Sequence, residues 1–234
     1  MNKHAPSAGL TLVELLVVLA VLAVLAALVI PAIASAQERS QAATCSSRMR
    51  QLGVAILLYT QDNQGSFPRS SHSAAANREP GWAASVAPYL GAQPSEADAA
   101  WVTRELGCPG NPRAPASTYS YGMNVFFELR SPGDSYLGRP ATWRRLAQVP
   151  SPARTILLAE TASAAGGMAP DHFMCHQWSG IGAARNAIAH DRHAGKSNYL
   201  FVDGHVECLP VEATFVSREQ NRWNPSVAGA HRPE

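Results

Sequence analysis

The chain has 234 residues, a formal net charge of +2 and only 15% charged residues. This length allows one large domain or two small ones, and near-neutrality without a basic block gives no indication of nucleic acid as the main partner. The 17 glycines and 17 prolines predict a loop-rich body, and the four cysteines of an exported chain would allow two disulfides in three possible pairings.

In chain order, Met1 to Gly9 is a short polar leader with one lysine, and Leu15 to Ile30 is an apolar run without a polar residue. With its small flanking residues the run reaches the roughly 20 residues that cross a hydrocarbon core as a helix. It is rich in Leu and Ala and lacks Gly, which favours helix over strand. Glu14 sits near its start. A lone carboxylate there must protonate, find a cation or snorkel to the membrane surface. Lys3 precedes the span, but Arg39, Arg48 and Arg50 follow it closely, so the positive-inside rule favours the N-terminus outside. Small residues from Ala32 to Ala36 leave a competing reading as an ordinary signal peptide.

Past Pro31, which is expected to bend the helix, Ala42, Cys45, Met49, Leu52, Ile56 and Tyr59 recur at spacings of three and four and mark one helical stripe. Gly53 weakens the helix slightly, and Asn63 and Gly65 are its stop signals. From Leu10 to about Asp62 such a helix is on the order of 80 Å long at roughly 1.5 Å per residue.

Ser70 to Pro80 reads as a small, polar loop and Trp82 to Leu90 as a short helix with Val86, Tyr89 and Leu90 toward a core. A helical piece is expected near Ala97 to Leu106, and short strands at Tyr119 to Tyr121 and Val125 to Leu129. Ser131 to Gly138 is a turn-rich insertion, Arg144 and Arg145 read as a solvated pair, and Thr155 to Ala159 is a buried strand. Ser163 to Pro170 reads as loop. Asn198 to Val202 and His205 to Leu209 flank Asp203-Gly204, the pattern of a type I′ hairpin. Tyr199 and Phe201 fall on one face of the first strand, Leu200 and Val202 on the other. Val211 to Glu234 reads as a loosely attached polar tail.

Gly9-Leu10-Thr11-Leu12-Val13-Glu14 with its apolar run resembles the processing site of type IV pilins and type II secretion pseudopilins, with Leu10 where the family usually has Phe. The resemblance implies cutting after Gly9 by a prepilin peptidase, N-methylation of Leu10, and a filament in which Glu14 pairs with the new amino terminus of a neighbour. It also implies an N-terminus-in orientation and a helix bend at Pro31. The implied fold is α+β: a long N-terminal helix, membrane-spanning in its first half, on a small antiparallel sheet. The expected divisions are leader 1–9, transmembrane or filament-core helix 10–36, amphipathic helix 37–62, periplasmic domain 63–210 and tail 211–234.

A second resemblance rests on Cys45 to Tyr59 with Phe67-Pro68, on Cys108-Pro109, on Tyr119 to Asn124, on Pro150 to Glu160, and on His193, nine residues, then Asp203-Gly204. These are similar to a pseudopilin-like group with a C-terminal His-x9-Asp-Gly motif. The partners implied are the prepilin peptidase, other copies or related pseudopilins, an inner-membrane assembly platform and membrane lipid. The subunit needs no cofactor and is not expected to be an enzyme.

The competing function is a membrane-anchored periplasmic binding or metal-dependent enzyme domain. His190, Asp191, His193, Asp203 and His205 are ligand types close in sequence, but their spacing offers two ligands at best. The alternative for His193 and Asn198 is structural, tying the loop to the hairpin by hydrogen bonds. His172, Cys175 and His176 lack a second cysteine pair at zinc-finger spacing, so oxidation of Cys175 with Cys208 or another cysteine is favoured over metal. Cys45, on the core face of the helix, and Cys108 are candidate partners for each other.

Overall fold

The computed structural model describes residues 11–93, 101, 107–110, 120–128, 135–136, 139–140, 143–162 and 171–230. The expected helical piece near Ala97 to Leu106 and the loop from Ser163 to Pro170 lie almost wholly outside these residues, as do Gly9 and Leu10. The chain divides into two compact units, Met1–Ser40 and Gln41–Glu234.

One helix, α1 (Leu12–Asp62), contributes to both units. It runs through Pro31 without interruption, although a proline there donates no backbone hydrogen bond. In the first unit every Leu, Val and Ile from Leu12 to Ile33 is 49–75% exposed. In the second unit the same helix is amphipathic: Cys45, Met49, Leu52 and Ile56 have no exposed surface. It ends where Gln64 and Gly65 take positive φ and the Gly65 N–H bonds the carbonyl of Thr60.

The sheet of the second unit comprises β1 (Tyr121–Asn124), β4 (Ile156–Glu160), β5 (His172–Phe173), β6 (Ser197–Phe201) and β7 (Val206–Leu209) in the order β5-β1-β4-β6-β7. β2 (Ser135–Tyr136) and β3 (Arg139–Pro140) form a separate ribbon. Three pairings of the main sheet are antiparallel, but β5 runs parallel to β1, so the sheet is mixed rather than purely antiparallel.

Both faces of the sheet are covered. On one, Leu158, Leu200 and Val202 pack with Met49, Leu52 and Ile56 of α1 and with Trp82 and Val86 of α3 (Trp82–Val86). On the other, Ile156, Tyr199 and Phe201 pack with Phe173, Trp178, Phe215 and Trp223. The segment 211–230 therefore supplies a layer and is no loose tail. Trp223 has no exposed surface and lies edge-on to Phe173 and Trp178 at 5.1 and 4.9 Å, and the Arg222 carbonyl accepts from the Ile156 N–H.

Other departures have local causes. Residues 71–77, expected as loop, form α2 (Ser71–Asn77), whose first N–H and hydroxyl both donate at 2.7 Å to Asp171, a hundred residues away. The strand expected at Val125 to Leu129 is a 3-10 turn over Val125–Phe127. Asn124 diverts the chain there. Its Oδ1 accepts from the Phe126 N–H and the Cys175 thiol, and its Nδ2 donates to the carbonyls of Ile156 and Trp223. Arg144 is buried, its guanidinium 4.0 Å from Glu79, while Arg145 is exposed.

The hairpin also differs from expectation. β6 stops at Phe201, and Val202-Asp203-Gly204 make a three-residue loop closed by Phe201 N–H to His205 O at 2.9 Å. Only Gly204 has positive φ, +93°, the pattern of a turn followed by a left-handed glycine bulge rather than type I′.

Candidate functional site

Two places carry chemistry. The first is the start of α1. The Thr11 N–H and hydroxyl each donate to Glu14 Oε2 at 2.8 Å, and the Glu14 N–H donates back to Thr11 Oγ1 at 3.3 Å. This is a capping box, in which a side chain at the helix start and one three residues on satisfy each other's backbone donors. Sequence reasoning treated Glu14 as a carboxylate awaiting a cation and missed Thr11, although Thr-x-x-Glu before an apolar run is itself the signal. Helix α1 is long and apolar enough to cross a membrane.

The second place lies in the second unit, where four ligand-type side chains converge. Cys45 and Cys108 are joined as a disulfide with their Cα atoms 5.1 Å apart. His193 Nε2 lies 3.6 Å from Cys108 Sγ and 2.9 Å from Glu160 Oε1. All four residues are buried, and their ligand atoms lie within 4.8 Å of one another. Four segments supply them: α1, the turn before Pro109, the end of β4, and the loop leading into β6. Gly110 lets the turn lie across the imidazole, because a Cβ on it would stand 3.1 Å from His193 Cε1.

Glu160 is the centre of this cluster and has no exposed surface. Its Oε2 accepts from the Asn198 N–H at 2.9 Å and Ser197 Oγ at 3.2 Å; its Oε1 accepts from His193 and, at 3.3 Å, from Asn198 Nδ2. A buried charge persists only when so surrounded. Burial, followed by the negative charge of Glu160, pushes the Tyr121 phenol well up; Tyr121 is the register partner of Glu160 across β1 and β4. Burial lowers the Arg192 guanidinium, against which the charge of Glu160 acts.

His193 and Asn198 of the His-x9-Asp-Gly motif thus meet on Glu160. Asp203 and Gly204 do not join them; they form the turn at the other end of β6, where Asp203 Oδ1 accepts from the His205 N–H and His205 stacks on Phe201. His190 instead has Nδ1 beside the Ile188 carbonyl. The glutamate was missed as a site residue. Its signal was a lone charge closing the wholly apolar strand Ile156 to Ala159, since a strand covered on both faces cannot leave a carboxylate in water.

Cys175 and Cys208, expected to oxidise with each other or another cysteine, are both free thiols. Cys175 is buried against Asn124, and burial pushes its thiol far up; Cys208 is exposed on β7. Among the described residues, His172, Cys175 and His176 are not part of a converging group of ligand-type side chains. His172 Nδ1 lies 3.0 Å from Asp171 Oδ1, and that hydrogen bond raises the imidazole above its ordinary value, against a smaller opposing effect of burial.

Comparison with known families adds two matches. The model of the prokaryotic N-terminal methylation motif matches residues 5–30, and a family described as protein of unknown function (DUF1559) matches residues 34–116. No curated protein and no solved structure matches the chain. The methylation motif, the apolar helix behind it and the α+β domain that follows support a type IV pilin-like protein.

Proposed function

We propose that the chain is a non-enzymatic subunit of a type II secretion or type IV pilus-like filament. A prepilin peptidase cuts it after Gly9 and methylates Leu10. The remaining helix, to about Ala36, holds it in the inner membrane with the N-terminus in the cytoplasm and the second unit in the periplasm, and an assembly platform then stacks it with other copies or related pseudopilins. The methylation-motif match over residues 5–30 carries this reading, and the uniform exposure of Leu12 to Ile33 supports it. Burying one Leu, Val or Ile is worth about 1.5–3 kcal/mol, so lipid or neighbouring helices gain on the order of tens of kcal/mol by covering this surface.

Glu14 gives the register. In the single chain its carboxylate is held by Thr11; in the filament the amino terminus of a neighbour, freed by cleavage, takes over as partner. The test is mass spectrometry of the amino terminus together with a Glu14→Ala variant. N-methyl-leucine at position 10 is expected in both proteins, with filaments lost in the variant. A start near Gln37, or normal filaments from Glu14→Ala, contradicts the proposal.

A further inference from the structure

We propose that the Cys45, Cys108, Glu160 and His193 cluster is a redox-gated binding site for a zinc-like divalent cation. It has two closed states, one sealed by the disulfide and one by the metal. Two thiolates, an imidazole and a carboxylate are the donor set of tetrahedral zinc, and four protein ligands leave no open position, so the site is structural rather than catalytic.

The geometry is close to that set. His193 Nε2 already lies 2.9 Å from Glu160 Oε1 and 3.6 Å from Cys108 Sγ, and all the ligand atoms fall within 4.8 Å of one another. Around one ion with bonds of about 2.0–2.3 Å, ligand atoms stand roughly 3.3–3.8 Å apart. The two sulfurs must separate and the carboxylate must back off slightly, which side-chain rotation accomplishes. Glu160 Oε2 keeps its bonds from Asn198 and Ser197, so the carboxylate remains oriented while Oε1 ligates. His193 Nδ1 has no hydrogen-bond partner among the described residues, so it is available to carry the imidazole proton when Nε2 turns its lone pair to a metal.

The chemistry balances. A dithiol reductant donates two electrons and two protons to the Cys45–Cys108 bond, which breaks to two thiols while the reductant closes its own disulfide. The cation then displaces the two thiol protons to solvent. Cross-link and ion bring the same two segments, α1 and the turn before Pro109, to the same place. An exported chain can therefore hold this corner of its core together before oxidation as well as after it.

The experiment uses the full chain in detergent. A trialkylphosphine reduces the disulfide, taking the oxygen of one water as phosphine oxide and leaving two thiols. After its removal without air, Co²⁺ is titrated as a spectroscopic probe of the zinc site. The expected result is one Co²⁺ per chain with tetrahedral d–d bands and thiolate charge transfer, displaced by Zn²⁺, and a higher melting temperature for the reduced chain with metal. The oxidised chain should give no such spectrum, and Cys208→Ser should leave it intact. Glu160→Gln, which keeps the side-chain shape, and His193→Ala should each weaken binding by about tenfold or more. Absence of tetrahedral Co²⁺ in the reduced chain, folded or not, overturns the proposal. So does a spectrum and affinity unchanged in both variants, or one lost in Cys208→Ser.

Discussion

Glu160 and His172 are the side chains whose roles depend most on what surrounds them. Replacing Glu160 by Ala strips the Asn198 N–H and side-chain amide, the Ser197 hydroxyl and His193 of their acceptor in a site with no exposed surface. Each abandoned donor costs about 1–3 kcal/mol, so the two shortest of these bonds alone put the loss for Glu160→Ala at about 2–6 kcal/mol or more in urea unfolding. A loss below about 1 kcal/mol would show that water enters and replaces the carboxylate. The Asp171–His172 pair gives a pH signature. Burial raises Asp171, but the hydrogen bonds from His172 and Ser71 outweigh it and hold the carboxyl below its ordinary 3.8, while His172 is raised above its ordinary 6.5. The histidine's contribution is therefore complete below pH 6.5 and fades as pH rises through its folded value. That of the aspartate is complete above 3.8 and fades as pH falls through its lowered folded value. His172→Gln should flatten the decline in melting temperature as pH rises above 6.5; an unchanged slope would assign that decline to another group.

Among the elements, the β6–β7 hairpin shows how a motif can be structural. Gly204 sits at φ +93°, and a Cβ added there would stand 3.2 Å from Leu57 Cδ1 on α1. Gly204→Ala should therefore destabilise by about 1 kcal/mol or more, read as a lowered urea midpoint. Equal stability would mean that the loop re-forms with another turn. Gly53 has a comparable place: its bare Cα admits Leu200, whose Cδ1 would lie 2.7 Å from a Cβ. Read from the sequence it only weakened a helix; in the fold it lets α1 approach β6.

At the scale of the whole molecule, the second unit closes its own core on both faces of the sheet, while the apolar surface of the first remains exposed. A fragment of residues 41–234 should be soluble without detergent and melt cooperatively, whereas the full chain should need detergent. Aggregation of the fragment, measured by size-exclusion chromatography, would show that the domain needs the preceding helix.

The sequence by itself determined whatever is periodic or contiguous. The apolar run after Glu14, the stripe Cys45-Met49-Leu52-Ile56, the buried strand ending at Ala159 and the alternating faces of Tyr199 to Val202 follow from side-chain chemistry repeated at a helical or strand spacing. Even Thr11 and Glu14, which were legible as a pair, needed only three residues of separation. Tertiary structure alone decided the parallel docking of β5 on β1, the burial of Trp223 and Arg144, the helix started by Asp171, and the meeting of Cys45, Cys108, Glu160 and His193. Those partners are brought together by the packing of distant segments, and no local spacing encodes which distant segment will supply the missing donor, acceptor or apolar face.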